Sequence, residues 1–229
     1  MPSITAFLFV AVAKENDLRR DEFGAQIIPF RQRKRLPPKW AIFRDGGCNV
    51  INGRKETCCV KLLKIISGGQ TGVDRGALDA AIEVGVECGG WCPSGRMAED
   101  GSIPNRYPVM ELANAGYAER TLRNVADSDG TLLILHGRPL GGTRETIECC
   151  VGMQKPYLTI DCSRIEIDEA INLGLQFIAN LPSEGATITM NVAGPRASQW
   201  PQGHEITRRI VSGVLRRFSG QNDARAYSS

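Results

Sequence analysis

The chain has 229 residues and a mass of 25.0 kDa, with 42% hydrophobic and 23% charged residues. This composition is typical of a globular protein with one α/β domain and an extension, and it excludes collagenous and largely disordered chains. No apolar run approaches the roughly 20 residues that a bilayer-spanning helix needs, which excludes a transmembrane helix. A membrane is not expected as a partner.

The net charge of +3 is unevenly distributed along the chain. Residues 1–61 hold 12 Lys and Arg against 6 Asp and Glu, whereas residues 62–229 hold 16 against 19. A domain that binds nucleic acid normally carries its own positive excess, so nucleic acid is not expected as a partner. The 8 cysteines include two adjacent pairs, which rarely form bridges without strain. They indicate a reducing, cytoplasmic location.

Residues 1–61 show no sustained helix or strand period, and they contain a basic run, 31–39, that ends in prolines. We predict a poorly ordered basic extension, with a nuclear or nucleic-acid address and an overextended gene start as alternatives. The apolar stretch 6–13 resembles the core of a signal peptide, but no Lys or Arg precedes it, so secretion is not expected. Residues 218–229 are predicted to form a flexible C-terminal tail.

From residue 62 short apolar runs alternate with glycine-rich turns and amphipathic stretches, which is typical of βα units. The pattern predicts strands at 62–66, 131–135, 157–160 and 186–192, and helices at 73–84, 117–126, 145–151, 168–180 (capped by Asp168) and 205–217. Near-continuous apolar strands indicate a parallel sheet covered on both faces. The prediction is therefore a doubly wound, mainly parallel α/β domain over 62–217.

Ligands of such sheets bind beyond the carboxyl ends of the strands, so the strand-end loops hold the candidate site. Glycines let the backbone approach a ligand, and a helix N-terminus offers unpaired N–H groups to an anion such as phosphate. The candidates are Gly68, Gly69, Gln70, Thr71, Gly72, Asp74 and Arg75 in the first loop, Gly141, Gly142, Thr143, Glu145 and Thr146 in the second, Arg196 in a third, and Arg96 and Asp100 in an irregular segment.

The cysteines and histidines do not follow a metal-site pattern. Cys88 and Cys92 lie four residues apart without a second matched pair or a histidine at zinc-finger spacing, so no protein-bound metal is expected. Cys149 and Cys150 lie in an apolar helical stretch and are predicted to be small core residues. The two histidines, His136 and His204, are predicted to be structural.

Four motifs occur in order over residues 62–217: SGGQTGVDRGALDAA, GWCPSGRMAEDG followed by IPNRYP, GGTRET, and NVAGPR. Together they resemble the molybdenum carrier family, and the resemblance implies a Rossmann-like protein of the SLOG superfamily that holds molybdenum cofactor (molybdopterin). In that picture the glycine-rich loops cradle its phosphate, and Arg75, Arg96 and Arg196 balance the charge. Asp74, Asp100 and Glu145 would accept hydrogen bonds from pterin or ribose. The implied partners are a small phosphorylated ligand, molybdoenzymes or cofactor-biosynthesis proteins, and a second copy of the chain.

The alternative is a nucleotide-binding or nucleotide-processing enzyme. The related lonely-guy phosphoribohydrolases carry PGGxGTxxE, whose catalytic glutamate stands three positions after the Thr. Here Thr146 holds that position, and Glu145, the candidate catalytic residue, is about 100° away around the helix. A carboxylate must lie at the anomeric centre to stabilise an oxocarbenium-like transition state. Binding without turnover is therefore the first expectation, and the nucleotide-processing enzyme is the second. Binding of single-stranded nucleic acid is a third possibility, which the acidic charge of the domain disfavours.

Overall fold

The computed structural model describes residues 62–182 and 185–226, together with three two-residue strands nearer the N-terminus; side chains are described for 62–182 and 185–220. The strands are β1 Gln26–Ile27, β2 Val50–Ile51, β3 Arg54–Lys55, β4 Leu62–Ile66, β5 Cys88–Gly89, β6 Trp91–Cys92, β7 Met97–Ala98, β8 Gly101–Ser102, β9 Met110–Glu111, β10 Gly130–Leu135, β11 Tyr157–Asp161 and β12 Thr187–Ala193. The helices are α1 Val73–Val84, α2 Tyr117–Ala126, α3 Gly141–Gly152, α4 Ile167–Ala179 and α5 Gly203–Ala226, with a 3₁₀ turn at Ser94–Arg96.

One central sheet organises the described part of the chain, with the strand order β1-β11-β10-β12-β4-β5. Strands β11, β10, β12, β4 and β5 run parallel to one another, and β1 pairs antiparallel with β11 at one edge. Leu132 lies opposite both Leu158 and Val192, which fixes the register of the three central apolar strands. The predicted mainly parallel α/β fold is confirmed.

Helices cover both faces of the sheet, because alternate residues of the central strands point to opposite sides. Leu132 and Ile134 of β10 belong to the large core beneath α1, α4 and α5, whereas Leu133 between them packs with Val125 of α2 and Cys150 of α3. A sheet buried on both faces accounts for the near-continuous apolar strands of the sequence. None of the helices in the described residues is long and apolar enough to cross a membrane.

Several predicted boundaries differ from the structure. Helix α3 begins at Gly141 rather than at residue 145, and Glu166 occupies the N-cap of α4, so Asp168 lies in its first turn instead of capping it. Helix α5 continues from residue 217 to Ala226, through much of the segment predicted as a tail. The division into extension, domain and tail stays a prediction, and the interpretations of residues 1–61 lie outside the described residues except for β1, β2 and β3.

Candidate functional site

The candidate site lies at the carboxyl edge of the sheet, where β4, β12 and β10 end side by side. Three loops leave these strands: 67–72 after β4, 194–199 after β12, and 136–140 after β10. We call residues 67–72 the first strand-end loop, residues 136–140 the second and residues 194–199 the third. The Ser67 hydroxyl donates to the carbonyl of Val192 at 2.7 Å and ties the first strand end to its neighbour. The loops that the sequence singled out therefore meet at one edge, as a doubly wound sheet requires.

The glycines of the first loop are occupied by protein rather than open to a ligand. A Cβ at Gly68 would lie 1.4 Å from Nη1 of Arg120, and a Cβ at Gly72 would lie 2.6 Å from the carbonyl oxygen of Pro195. A Cβ at Gly69 would meet Ile103 at 3.1 Å. Gly69 and Gly72 also have positive φ, at 72° and 78°, which favours glycine. Close packing of Arg120 at Gly68, of Ile103 at Gly69 and of the third loop at Gly72 explains these glycines.

The backbone donors of the first loop are largely used within the protein. The N–H of Gln70 donates to Oδ2 of Asp74 at 3.2 Å, the N–H of Thr71 donates to Oε1 of Gln70 at 3.0 Å, and the N–H of Val73 donates to the carbonyl of Pro195 at 3.3 Å. These bonds satisfy donors that the start of α1 would otherwise offer to an anion. The phosphate cradle predicted at residues 68–72 is thus smaller than the sequence indicated.

Asp74 is a buried structural carboxylate paired with an arginine that the sequence did not single out. Its side chain lies 3.2 Å from Nη1 of Arg120 on α2, and the residue is 3% exposed. Burial raises the pKa of Asp74, and the charge of Arg120 with the hydrogen bond from Gln70 lowers it only in part. Nε of Arg120 is also buried and has no partner in the described part of the chain. The pair holds α2 against the first loop.

The start of α3 offers the open backbone donors of this edge. Its N-cap, Leu140, has no side-chain cap, and neither Gly141 nor Gly142 donates its N–H to an acceptor within the described residues. Both glycines are exposed, and a Cβ at Gly142 would meet nothing within 4 Å. Such a helix end carries partial positive charge and suits an anion.

The two threonines of this helix start face the protein. Thr143 is buried in the first turn of α3, and Thr146 is buried and donates its hydroxyl to the carbonyl of Gly142 at 2.7 Å. Glu145 lies between them in sequence and is exposed. Thr143 is therefore not a cap, and Glu145 projects to the solvent side of the helix.

Residues Met97–Ser102 form an antiparallel hairpin, called here the 97–102 hairpin, whose turn residues Glu99 and Asp100 contact the strand-end loops. Asp100 accepts two hydrogen bonds from Arg75, at 2.6 and 2.7 Å. These bonds hold the pKa of Asp100 below its ordinary value. The two predicted residues thus come together, but as an ion pair in which each satisfies the other.

Glu99 was missed by sequence reasoning although its carboxylate contacts both the first and the third strand-end loop. The hydroxyl of Thr71 donates to this carboxylate, as do the N–H of Ser198 at 3.1 Å and the hydroxyl of Ser198 at 2.5 Å. Nε of Arg196 lies 3.9 Å away. Partial burial raises the pKa of Glu99, but the hydrogen bonds from Ser198 and Thr71 outweigh it and hold the pKa below its ordinary value.

Arg96 has a structural position. Its guanidinium donates to the carbonyls of Ile103, Val109, Pro104 and Tyr107 at 2.7–3.2 Å. These four acceptors come from the segment that links the 97–102 hairpin to β9. Arg96 therefore organises the loop and is poorly placed to balance the charge of a phosphate.

No group of three or more metal-ligating side chains is gathered in the described residues. The cysteines at 88, 92, 149, 150 and 162 are free. Burial raises the pKa of Cys150 to about 12, so its thiol is protonated and inert at neutral pH. Cys150 is a core residue as predicted, and Cys149 is half-buried beside it.

Comparison with known proteins assigns the chain to a family. The model of the circularly permuted YpsA SLOG family matches residues 65–215. The chain belongs to this family. In keeping with a permuted sheet, β4 and β12 of this SLOG protein are neighbours although they are the first and last strands of the parallel set.

A crystal structure named as a "putative molybdenum carrier protein" from Syntrophus aciditrophicus SB is 42% identical in sequence to this SLOG protein. The match covers 67% of this chain and 95% of that one, with a TM-score of 0.64. A search of curated proteins returned no match. The resemblance to molybdenum carriers and the SLOG assignment are confirmed.

Proposed function

We propose that the protein binds and carries molybdenum cofactor, holding the phosphate of this pterin-type cargo at the start of α3. The observation that carries the proposal is the open helix end at Gly141 and Gly142, which are exposed and use neither N–H within the described residues. The name of the similar structure, which refers to molybdenum, supports the choice of cargo.

The donor chemistry of this edge fits a phosphorylated cargo. The domain is acidic overall, so the attraction must be local, and a helix N-terminus supplies it without a surplus of lysines. Nε2 of Gln70 is buried without a partner in the described part of the chain and is a further hydrogen-bond donor at this edge. The cofactor supplies its own dithiolene sulfurs to molybdenum. The absence of a thiolate cluster among the described residues is therefore compatible with this cargo.

The chemistry that the residues of this chain perform is binding and shielding. The α3 amides neutralise part of the phosphate charge, and the hydroxyl of Thr146 holds the carbonyl of Gly142 at the helix start. Delivery to a molybdoenzyme, or receipt from a cofactor-biosynthesis protein, is part of the same proposal.

Gly142→Asp is expected to abolish co-purification of the cargo. The position has room for a side chain, and a carboxylate at the start of a helix stabilises the helix by about 0.3–1 kcal/mol, so folding is expected to survive. The same carboxylate repels phosphate by about 2 kcal/mol, or about thirtyfold in affinity. Gly142→Asn is the matched neutral control. The measurement is molybdenum by plasma mass spectrometry, with fluorescence of the acid-released, oxidised pterin.

Wild type that carries neither molybdenum nor pterin, or a Gly142→Asp variant that keeps both, would contradict the proposal. A nucleotide mass in the native mass spectrum of wild type would point to nucleotide processing instead. In that case Glu145→Gln becomes the deciding variant, because an enzyme that uses this carboxylate loses turnover and keeps the nucleotide.

A further inference from the structure

The 97–102 hairpin places two consecutive carboxylates on the hydrogen-bond donors of the strand-end loops. Glu99 contacts Thr71 of the first loop and Ser198 of the third, and Asp100 contacts Arg75 at the start of α1. These donors come from chain segments more than 120 residues apart, which the sheet brings to its ligand-binding edge. The hairpin therefore spans the place where a ligand of this fold binds.

The surroundings of Glu99 have the composition of an anion site. Two hydroxyl groups, one backbone N–H and one guanidinium surround its carboxylate, whose side chain is 19% exposed. The N–H of Ala197 donates to the hydroxyl oxygen of Thr71 at 3.1 Å and so orients the Thr71 proton towards Glu99. Phosphate and other tetrahedral oxyanions are bound by this same combination of donors.

Beside Glu99, the carboxylate of Asp100 is likewise held by hydrogen-bond donors, here those of Arg75. The guanidinium holds the carboxylate in a two-pronged contact, at 2.6 and 2.7 Å, and Arg uses the same planar fork to hold phosphate. Nε of Arg75 donates to the carbonyl of Gly69 at 3.1 Å, which keeps the fork in place if Asp100 leaves.

An unsatisfied buried donor lies under the hairpin. Oε1 of Gln70 accepts the N–H of Glu99 at 3.0 Å, so the Gln70 amide lies directly beneath the turn. Gln70 is 7% exposed, and its Nε2 has no partner within the described residues. A buried amide without an acceptor costs free energy that an incoming oxygen would recover.

We propose that Thr71, Arg75, Arg196 and Ser198 form a second anion subsite, and that Glu99 and Asp100 of the 97–102 hairpin fill it as an internal substitute for an anionic group of the ligand. Binding of a ligand with two anionic groups displaces the hairpin and transfers these donors to the ligand. The inference rests on the proposed function, since it places an anionic ligand at this edge, and it assigns that ligand a second negatively charged group.

The test titrates the full-length wild type and Glu99→Gln with inorganic pyrophosphate in a calorimeter. The variant removes the competing charge while keeping the length of the side chain, and we expect it to bind pyrophosphate at least about tenfold more tightly than wild type. Glu87→Gln is the control. It removes one negative charge from the amino end of β5, where Glu87 pairs with Lys64, and is expected to leave the affinity unchanged.

Hydrogen exchange supplies a readout that a purely structural clamp would not change. Saturating pyrophosphate is expected to speed exchange of the Glu99 amide about tenfold in wild type, because its bond to Gln70 breaks. Slower or unchanged exchange, or a Glu99→Gln variant that binds pyrophosphate no better than wild type, would overturn the inference. If neither protein binds pyrophosphate, the inference also fails; molybdenum and pterin in the same preparations report separately on the proposed function.

Discussion

Replacing Arg120 by methionine is expected to lower the free energy of unfolding by about 3–5 kcal/mol at pH 7, because the buried Asp74 carboxyl loses its cation and must either carry an unpaired charge or take up a proton. Methionine keeps most of the side-chain volume above Gly68, so the loss reports on charge more than on packing. Urea unfolding followed by circular dichroism measures the effect.

The deficit of Arg120→Met is expected to shrink as the pH falls. Burial raises the pKa of Asp74 on folding, and a carboxyl of this kind stabilises the fold most below its unfolded pKa of about 4. That contribution is lost as the pH rises through the folded pKa. Loss of Arg120 raises the pKa of Asp74 in the folded variant further. As the pH is lowered, Asp74 therefore takes up a proton at a higher pH in the variant than in wild type, and the cost of its unpaired buried charge disappears.

Adding Asp74→Asn to Arg120→Met provides the control. The double variant contains no buried charge at this position, and we expect it to recover at least half of the lost stability and to lose the pH dependence of the deficit. The pair would not be a significant determinant of stability if the free energy of unfolding of Arg120→Met lay within about 1 kcal/mol of wild type at pH 7. The same would follow if the difference from wild type were equal at pH 5 and pH 7.

The sequence predicted the periodic elements well and the irregular ones poorly. Helices α1 and α2 have the predicted bounds: α1 has a buried apolar stripe and a glycine at each end, and α2 follows Gly116. The start of α3 was missed because Gly141 and Gly142 are poor helix formers in the interior, although the first turn tolerates them. The two-residue strands between α1 and α2 are too short to show a period. The pairing of β5 with β4 and of β6 with β9 also depends on contacts about 20 residues apart in sequence.

For the site, glycine content singled out loops that meet at one edge of the sheet, but it did not show which protein groups contact them. The sequence placed the first and third loops at one edge, and the structure joins them at Gly72 and Pro195. It could not show that Arg120 fills the space over Gly68 or that Arg96 binds four backbone carbonyls, because both partners depend on tertiary packing. Glu99 has no local signal beyond its place in an irregular segment. Ser198 was within the third loop but resembled an ordinary turn residue.

Gly76 of α1 packs against the start of α5, and Gly76→Ala is expected to lower the free energy of unfolding by about 3 kcal/mol. A Cβ there would lie 2.4 Å from the carbonyl oxygen of His204, and backbone of a packed helix cannot shift without disturbing the core. Alanine favours the helix by about 1 kcal/mol relative to glycine, so the steric cost must exceed the observed loss by that amount.

Gly220→Ala is the matched control, since Gly220 lies within α5 and a Cβ there would meet nothing within 4 Å. It is expected to raise stability by about 0.5–1 kcal/mol through helix propensity alone. Gly213→Ala should fall between the two, because its Cβ would meet the flexible end of Ile171 at 2.4 Å rather than backbone. Thermal and urea unfolding of the three variants would therefore rank them 220, 213, 76 in decreasing stability. A Gly76→Ala protein as stable as wild type would mean that α1 can move away from α5, and the first loop, which α1 carries, would then not be held in a fixed position by this packing.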